Sequence, residues 1–317
     1  MSDTYSTQLI STQTQNVQTD VAHSTPSSQA KGNRWGILLS LFALYIIWGS
    51  TYLGMRFALV SFPPFLMAGI RFVIAGILLY TFLRMRGAAA PTRPQMLGSA
   101  IIGILLLAGG NGGVSFAEQW VSSGLAAVGI AVVPLWAALF IGLMGRWPKR
   151  IEWVGLGLGF VGVLFLNLEN GVWTKPIGAI ALLLAPMCWA LGSALSSRVS
   201  LPSGLMASAT QMIIGGVFLL GLGLILGERI HNVPTASALW SMVFLILFGS
   251  LIAFSAYGYL LLNVRPALAT SYAYVNPAVA VGLGVLFADE HITLIGVLAM
   301  VVILVGVGLV SLGRDRK

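Results

Sequence analysis

The amino-acid sequence predicts an all-α polytopic membrane protein with ten transmembrane helices, arranged as two inverted five-helix repeats. Three observations predict this class: an apolar composition, a succession of long apolar runs and an internal repeat. Of the 317 residues, 57% are hydrophobic and 8% are charged. A soluble domain is typically about 45–50% apolar and about 25% charged. The composition therefore excludes a water-soluble enzyme and indicates that the chain lies in a lipid bilayer.

The chain begins with a polar stretch, residues 1–34, which we expect to be a disordered cytoplasmic tail. Ser, Thr and Gln make up 17 of its first 30 residues. Such a segment cannot bury enough apolar surface to offset the entropy lost on ordering. Residues 313–317 are predicted to form a short cytoplasmic tail at the C terminus.

From Trp35 onward, apolar runs of 17–24 residues alternate with short polar breaks. Each run is long enough to cross a hydrocarbon core of about 30 Å as a helix. The predicted spans are 36–56, 64–84, 97–117, 123–144, 152–168, 177–196, 206–226, 238–260, 267–287 and 292–312.

The basic residues are distributed unevenly between the two sides of these spans. With the N terminus placed in the cytoplasm, 13 Lys and Arg residues fall on the cytoplasmic side and three on the other, namely Arg56, Lys175 and Arg229. Cytoplasmic loops carry an excess of Lys and Arg. We therefore expect a multi-pass protein of the cell inner membrane with both termini cytoplasmic. The net charge of +8 then reflects orientation, so nucleic acid is not an expected partner.

The chain also repeats itself. A shift of 143 positions aligns Pro134 with Pro277, and in the second span of each half a shift of 140 aligns Arg71 with Gln211. Five spans per repeat is an odd number, so the two halves are inserted in opposite orientations. Inverted repeats of this kind are common among secondary transporters.

Five stretches resemble the EamA family of the drug/metabolite transporter superfamily. They are FALYIIWGSTYLGMRFAL (42–59), PPFLMAGIRFVIAGILL (63–79), SGLAAVGIAVVPLWAALFIGLMGR (123–146), EWVGLGLGFVGVLFLNL (152–168) and RPALATSYAYVNPAVAVGLGVLFADE (265–290). The resemblance implies one EamA repeat over 35–168, a second over 177–312, and both ends in the cytoplasm. It also implies export of a small organic solute, since characterised members of the family export amino acids, related metabolites or drugs.

Two prolines, Pro134 and Pro277, lie near the middle of their spans at matching positions. A proline removes one backbone donor and crowds the carbonyl four residues earlier, which leaves polar backbone exposed in the bilayer. Such a break can line a binding cavity and serve as a hinge. A structural kink that neighbouring helices tolerate is the alternative.

Aromatic and polar side chains near these breaks are the candidate substrate-binding residues. They are Trp48, Ser50, Thr51, Trp136, Trp189, Ser193, Tyr272, Tyr274 and Asn276. A buried amide such as that of Asn276 needs hydrogen-bond partners, and a solute could supply them. Hydrogen bonding between helices is the alternative role.

Arg71 is the only charged residue well inside a span. Intramembrane charges usually face the interior of the bundle, so Arg71 is a candidate ligand for a substrate carboxylate. Pairing with a carbonyl that fixes the two repeats together, or extension toward the interface, are alternatives. All nine Asp and Glu residues lie in tails, loops or span ends. Among them, Glu118 is the candidate for gating or proton sensing, and an ordinary loop position is its alternative.

The remaining chemistry-bearing residues predict neither a cofactor nor a metal site. The three histidines are far apart, and no Gly-Lys-Ser/Thr phosphate loop is present. Glycine pairs such as Gly155 and Gly159 indicate close helix packing, within the chain or at a homodimer seam. The sequence thus favours an amino-acid or metabolite exporter that works by alternating access. A drug or other organic-solute exporter or exchanger, and a non-transporting membrane sensor or partner subunit, are the alternatives.

Overall fold

The computed structural model of the protein describes residues 34–144, 147, 150–169, 176–264, 266–269, 271–290 and 293–315. Within these ranges the chain is helical and contains no strand. Apart from Arg34, the predicted N-terminal tail lies outside the described residues, as do residues 316 and 317 of the predicted C-terminal tail.

Twelve helices follow one another along the described chain. They are α1 Arg34–Ala58, α2 Pro64–Met85, α3 Arg93–Ala117, α4 Ser123–Ile130, α5 Val133–Leu143, α6 Arg150–Glu169, α7 Pro176–Leu195, α8 Leu205–Ile225, α9 Ala236–Asn263, α10 Pro266–Ala269, α11 Tyr272–Phe287 and α12 Leu294–Asp315. Seven stretches are long and apolar enough to cross a membrane, with Ser123–Phe140 as one of them. The predicted span 152–168 lies within α6, and the predicted spans 267–287 and 292–312 overlap the shorter apolar helices Val275–Phe287 and Leu294–Gly306.

Local sequence signals fix where several helices begin. Pro64 is the first residue of α2, where its missing N–H has no intrahelical partner to lose. Thr92 and Gln95 form a capping box at α3, and the Thr235 hydroxyl accepts a hydrogen bond from a backbone N–H in the first turn of α9. These residues satisfy or remove backbone N–H groups that have no intrahelical partner, and so fix the start of each helix.

Three of the helices contain a segment wound as a π-helix. These segments are Ala43–Trp48 in α1, Ile104–Gly112 in α3 and Leu245–Ile252 in α9. A π turn closes its hydrogen bonds one residue later than an α turn, and such turns are frequent at functional sites. All three segments lie midway along their helices, so they change the direction of side chains in the middle of the bundle.

The two ends of the bundle can be told apart by their loops. At one end, which we call the far end, the hydroxyls of Ser61 and Thr235 lie 3.4 Å apart, and Phe65 stacks on Phe116 with ring centroids 5.4 Å apart. These contacts join the start of α2 to the end of α3 and the start of α9. The opposite end, where α1 begins at Arg34, is called the N-terminal end.

The two halves of the chain meet in backbone contact at the centre of α2 and α8. A Cβ added to Gly76 would lie 2.8 Å from the backbone nitrogen of Ile213, and one added to Gly216 would lie 2.8 Å from the backbone nitrogen of Val73. Glycine permits this approach because it has no side chain. A second pair of equivalent helices, α6 and α12, packs in the same way: a Cβ on Gly306 would lie 2.6 Å from the carbonyl oxygen of Gly155.

The helices α2 and α8 also end in the same turn, at opposite ends of the bundle. Gly87 and Gly227, which lie 140 positions apart, have φ values of 85° and 80°. In each turn the next residue donates its N–H to a carbonyl five positions earlier: Ala88 to Leu83 at 3.0 Å and Glu228 to Gly223 at 2.8 Å. This is the Schellman arrangement, which needs a left-handed residue and so favours glycine. The repeat seen in the sequence is therefore also a repeat of backbone geometry.

The outer surface of the bundle is apolar. Phe82, Val217 and Leu298 are 51%, 56% and 54% exposed, respectively. Large exposed apolar side chains are unfavourable in water and are the normal lining of a lipid-facing surface. Several polar side chains are buried inside the bundle, and some of them, such as Thr51 and Asn276, belong to the site described next.

Candidate functional site

A cavity lies between the two repeats, from the middle of the bundle toward the far end. The space that the centre of a water molecule can occupy inside it is about 40 Å³, enough for a few waters. Five helices line it, with Trp48, Thr51, Tyr52, Met55, Gly110, Asn111, Val114, Ile130, Ala185, Trp189, Tyr272 and Asn276. None of these side chains carries a formal charge.

An aromatic cluster forms one wall of the cavity, with Trp48 at its centre. The Trp48 ring centroid lies 5.3 Å from that of Trp189, 5.3 Å from that of Tyr257 and 5.2 Å from that of Tyr272. Trp48 donates from Nε1 to the carbonyl of Gly249 at 3.2 Å, and Trp189 donates from Nε1 to the Tyr257 hydroxyl at 3.3 Å. Because edge-to-face packing and these hydrogen bonds fix the rings, the wall is preformed.

The amide of Asn276 connects this wall to α1. In the orientation that satisfies both of its polar atoms, the amide nitrogen donates to the carbonyls of Leu44 at 2.9 Å and Tyr45 at 3.3 Å. Both carbonyls belong to the π-helical segment of α1. Asn276 thus makes the helix-to-helix contact that was its alternative role, and it also lines the cavity.

Arg71 lies beside the cavity rather than in its lining. Its side chain is 1% exposed, and it donates from Nε to the Ser250 hydroxyl at 3.2 Å and from Nη2 to Asn111 Oδ1 at 3.3 Å. Its guanidinium carbon also lies 4.4 Å from the ring centroid of Phe72. Ser250 belongs to the second repeat, so Arg71 joins the two repeats and orients Asn111, which does line the cavity.

Both helices that carry the predicted central prolines are interrupted, and both interruptions face the cavity. The helix before Pro134 stops at Ile130 and resumes at Val133, so Pro134 lies in the first turn of α5. The second interruption precedes Tyr272, and Pro277 lies inside α11. Ile130 and Tyr272, the residues next to the two interruptions, are cavity-lining residues. The first interruption therefore lies next to Pro134, whereas the second lies several residues before Pro277.

Three other sequence-predicted residues, Ser50, Ser193 and Trp136, are not among the residues that line the cavity. Ser50 donates to the carbonyls of Ile46 and Ile47 in its own helix, at 2.9 and 2.8 Å. The Ser193 hydroxyl donates to the carbonyl of Trp189 and contacts the Tyr257 hydroxyl at 2.8 Å, behind the aromatic wall. Trp136 stacks on Phe140 in α5. The side chain of Tyr274 lies outside the described residues.

Comparison with known proteins assigns the family. The family model described as the EamA-like transporter family matches residues 34–168 and 176–312. The chain belongs to the EamA-like transporter family. This EamA protein is 49% identical over 276 residues to the uncharacterised inner membrane transporter YedA of Escherichia coli (strain K12), covering 87% of this chain and 90% of YedA. It is 24% identical to the uncharacterised transporter YoaV of Bacillus subtilis (strain 168), over 89% of this chain and 98% of YoaV.

A solved crystal structure shares the fold of this EamA protein. The two superpose with a TM-score of 0.64 at 20% sequence identity, over 89% of this chain and 99% of the other. The family assignment confirms the predicted resemblance, and with the apolar helices it shows a membrane transporter built from two EamA repeats.

Sequence reasoning did not identify Tyr257 of the aromatic wall or seven of the twelve residues that line the cavity: Tyr52, Met55, Gly110, Asn111, Val114, Ile130 and Ala185. For Asn111 a signal was available, because an amide inside a long apolar run requires a partner. Tyr257 is fully enclosed, at 1% exposure, and contacts three members of the aromatic cluster. Its position depends on how α9 packs, which no local pattern shows.

At the far end, two carboxylates of the second repeat bind helix N termini of the first. Glu228 accepts hydrogen bonds from the N–H groups of Phe65 at 3.2 Å and Leu66 at 2.8 Å. Glu290 accepts from those of Ser123 at 2.8 Å and Gly124 at 3.2 Å. These N–H groups have no intrahelical partner, and the helix dipole favours a negative charge there. The two carboxylates therefore hold the halves together at this end.

A third carboxylate, Glu118, lies in the same region without such bonds. It follows the last residue of α3 and is 1% exposed. Burial and the Glu290 carboxylate raise its pKa well above the usual range, and the nearby Arg56 and Arg71 only partly oppose this. Glu118 thus lies in a loop, as in its alternative role, but the side chain is buried there.

Proposed function

We propose that this EamA protein is a secondary transporter of the inner membrane that exports small organic solutes, foremost amino acids or related metabolites, by alternating access. The observation that carries the proposal is the cavity between the two repeats, onto which both helix interruptions open. Its lining combines aromatic rings with the amides of Asn111 and Asn276. A lining without formal charge favours uncharged or zwitterionic solutes over simple ions.

In this proposal the chain crosses the membrane ten times with both termini in the cytoplasm. The seven long apolar helices together with α6, α11 and α12 supply the ten crossings. The N-terminal end of the bundle then faces the cytoplasm and the far end faces outward. YedA is named an inner membrane transporter, which supports the same location for this chain.

The interruptions near Pro134 and Pro277 act as hinges in this mechanism. Each divides a helix into two rods, one on either side of the cavity. One helical segment can tilt while the backbone hydrogen bonds within the other segment stay intact. One end of the cavity can therefore open while the opposite end stays packed. Arg71 then holds α2 to α9 beside the cavity through its bond to Ser250.

A second candidate is a drug or other organic-solute exporter or exchanger of the same superfamily. The aromatic wall around Trp48 favours it, because flat apolar rings stack on such surfaces without requiring particular polar groups. The two candidates share the cavity and differ in the solute that accumulates outside.

A metabolite survey tests the proposal, comparing the medium of cells that lack the chain with that of cells that overproduce it. Overproduction should raise one or a few small solutes in the medium. Asn276→Ala should lower that export about tenfold, the equivalent of one buried hydrogen bond of about 1.4 kcal/mol, and Pro277→Ala should also reduce it. Both variants should keep normal amounts of protein in the membrane.

The matched control is Asn263→Ala. Asn263 ends α9 and bonds a carbonyl of its own helix, that of Tyr259, at 2.8 Å. It lies away from the cavity, so this variant should export normally. Unchanged export by Asn276→Ala at equal protein levels would contradict the assignment of the site, and identical media from the two strains would contradict export.

A further inference from the structure

Glu118 is isolated from hydrogen-bond partners. In the part of the chain that the structure describes, neither Oε1 nor Oε2 has one, and both oxygens are buried. Burying an ionised carboxylate without partners is far more unfavourable than burying the neutral acid. This arrangement therefore favours the protonated form of Glu118.

The charged groups around Glu118 come from three directions. Arg56 lies on α1, Arg71 on α2, and Glu290 on the segment after α11; Tyr52 of α1 also interacts with Glu118 electrostatically. Arg71 makes no hydrogen bond to Glu118, since the Glu118 oxygens and Arg71 Nη1 are all without a partner among the described residues. The two arginines are close enough to stabilise an ionised Glu118 once water reaches it. While Glu118 is buried, neither arginine pairs with it.

Glu118 lies between the cavity and the far-end surface. Val114, one helical turn earlier on α3, and Tyr52 both line the cavity. On the other side, Val121 is 5% exposed and Glu290 binds the start of α4. Separation of α11 from the α3–α4 connection would break the Glu290 contacts and admit water to Glu118. Opening of the far end and hydration of Glu118 are thus the same event.

We propose that Glu118 is a proton-binding site whose occupancy sets whether the far end of the transporter is sealed or open. The inference rests on the proposed function, because an alternating-access transporter must open this end. In the sealed state Glu118 is a neutral acid. When the far end opens, its O–H bond breaks, the proton passes to water and the hydrated carboxylate remains near Arg56 and Arg71; resealing reverses the step.

The sign of the pH dependence follows from this scheme. The sealed state holds one more proton than the open state, so lower pH favours sealing and higher pH favours opening. Between the Glu118 pKa values of the open and sealed states, each pH unit changes the ratio of the two states about tenfold.

Infrared titration of the purified full chain tests proton binding directly. In dodecyl maltoside micelles, which contain no carbonyl group, the C=O stretch of a protonated carboxyl can be followed against pH. We expect a protonated carboxyl that persists to higher pH than the exposed acids and disappears in Glu118→Gln. The control is Asp289→Asn, an exposed far-end residue with φ 50° that asparagine adopts equally well. A persistent band that survives Glu118→Gln would overturn the proposal.

Cysteine labelling tests the coupling to opening. In a Cys188→Ser background, Val121→Cys places a reporter in the seal, and Val60→Cys, at a position 70% exposed, corrects for the reactivity of the thiol. The corrected rate of reaction with a charged methanethiosulfonate should rise at least about tenfold from pH 5.5 to 8.5. In Glu118→Gln, which mimics the neutral acid, it should stay low at every pH, and in Asp289→Asn it should rise as before.

The same pH profile with Glu118→Gln would refute the coupling. Neither measurement uses a transported solute, so failure here is distinct from failure of the proposed export. A chain that titrates and opens as expected but changes no solute in the medium would instead refute the export proposal.

Discussion

The turns that end α2 and α8 have the same backbone and different side chains. Both pass through a left-handed glycine, Gly87 at the N-terminal end and Gly227 at the far end. The residue that follows is Ala88 in one turn and Glu228 in the other. Glu228 reaches the N terminus of α2, whereas Ala88 has no group that could reach the equivalent N terminus, that of α8, which starts after Gly204 without a side-chain cap.

This difference shows how a repeat with matching backbones acquires two unlike ends. The far end is held by carboxylates on backbone N–H groups, which are charge-assisted bonds and the stronger class. Toward the N-terminal end, a described contact between the halves joins two hydroxyls, those of Ser99 and Thr210, at 2.8 Å. Because neutral bonds are weaker, the two ends differ in how firmly they close.

Removing the Glu228 carboxylate should have the largest effect on the labelling rate at the far end. Glu228→Ala leaves the N–H groups of Phe65 and Leu66 without their acceptor, a loss of about 2 kcal/mol, or about 30-fold in an equilibrium constant. We expect the Val121→Cys reporter to label correspondingly faster. Glu228→Gln keeps one acceptor oxygen, so its labelling rate should lie between those of the unchanged chain and Glu228→Ala. Equal labelling of all three would mean that this carboxylate does not hold the end closed.

Supplying the missing carboxylate should have a smaller effect of opposite sense. Ala88→Glu places a carboxylate where it can bind the first N–H groups of α8, a gain of about 1 kcal/mol, or about fivefold. Labelling of Met206→Cys, which is 4% exposed in the first turn of α8, should slow. Ala89→Glu adds the same charge one residue later and should not change the rate; equal slowing by both would indicate a general charge effect.

The smallest effect is expected at the exposed hydroxyl pair of the far end. Ser61→Ala removes the contacts with the Thr235 hydroxyl at 3.4 Å and backbone N–H at 3.2 Å. Exposed bonds of this kind contribute within about 0.5 kcal/mol, so reporter labelling and thermal unfolding should be nearly unchanged. A large change would show that these hydroxyls, rather than the carboxylates, distinguish the two ends.

Much of the fold could be predicted because lipid imposes a strong length and composition rule. The bounds of α2 and α8 agree with the predicted spans 64–84 and 206–226 within a residue or two, since each ends at a glycine turn. The prediction was weaker near Pro277, where the interruption lies several residues before the proline. Proline excludes one hydrogen bond, but packing decides where the helix separates.

The site could be predicted only in part, because it depends on contacts between helices far apart in sequence. Trp48, Trp189, Tyr272 and Asn276 were selected as polar or aromatic residues near the breaks, and all four line the cavity. Ser50 satisfied the same criterion, but its hydroxyl bonds its own helix. Whether a side chain faces the cavity or its own helix depends on the rotation of the helix about its axis, which the π-helical segments alter here. Composition does not indicate this rotation.

The glycine-lined seam between α2 and α8 has a mechanical consequence. Gly69 faces the backbone of Leu220 and Gly76 faces that of Ile213, so the two backbones lie against each other over about two turns. Helices in contact over this length resist bending and sliding past each other. We expect α2 and α8 to move as one stiff pair about which the remaining helices rearrange.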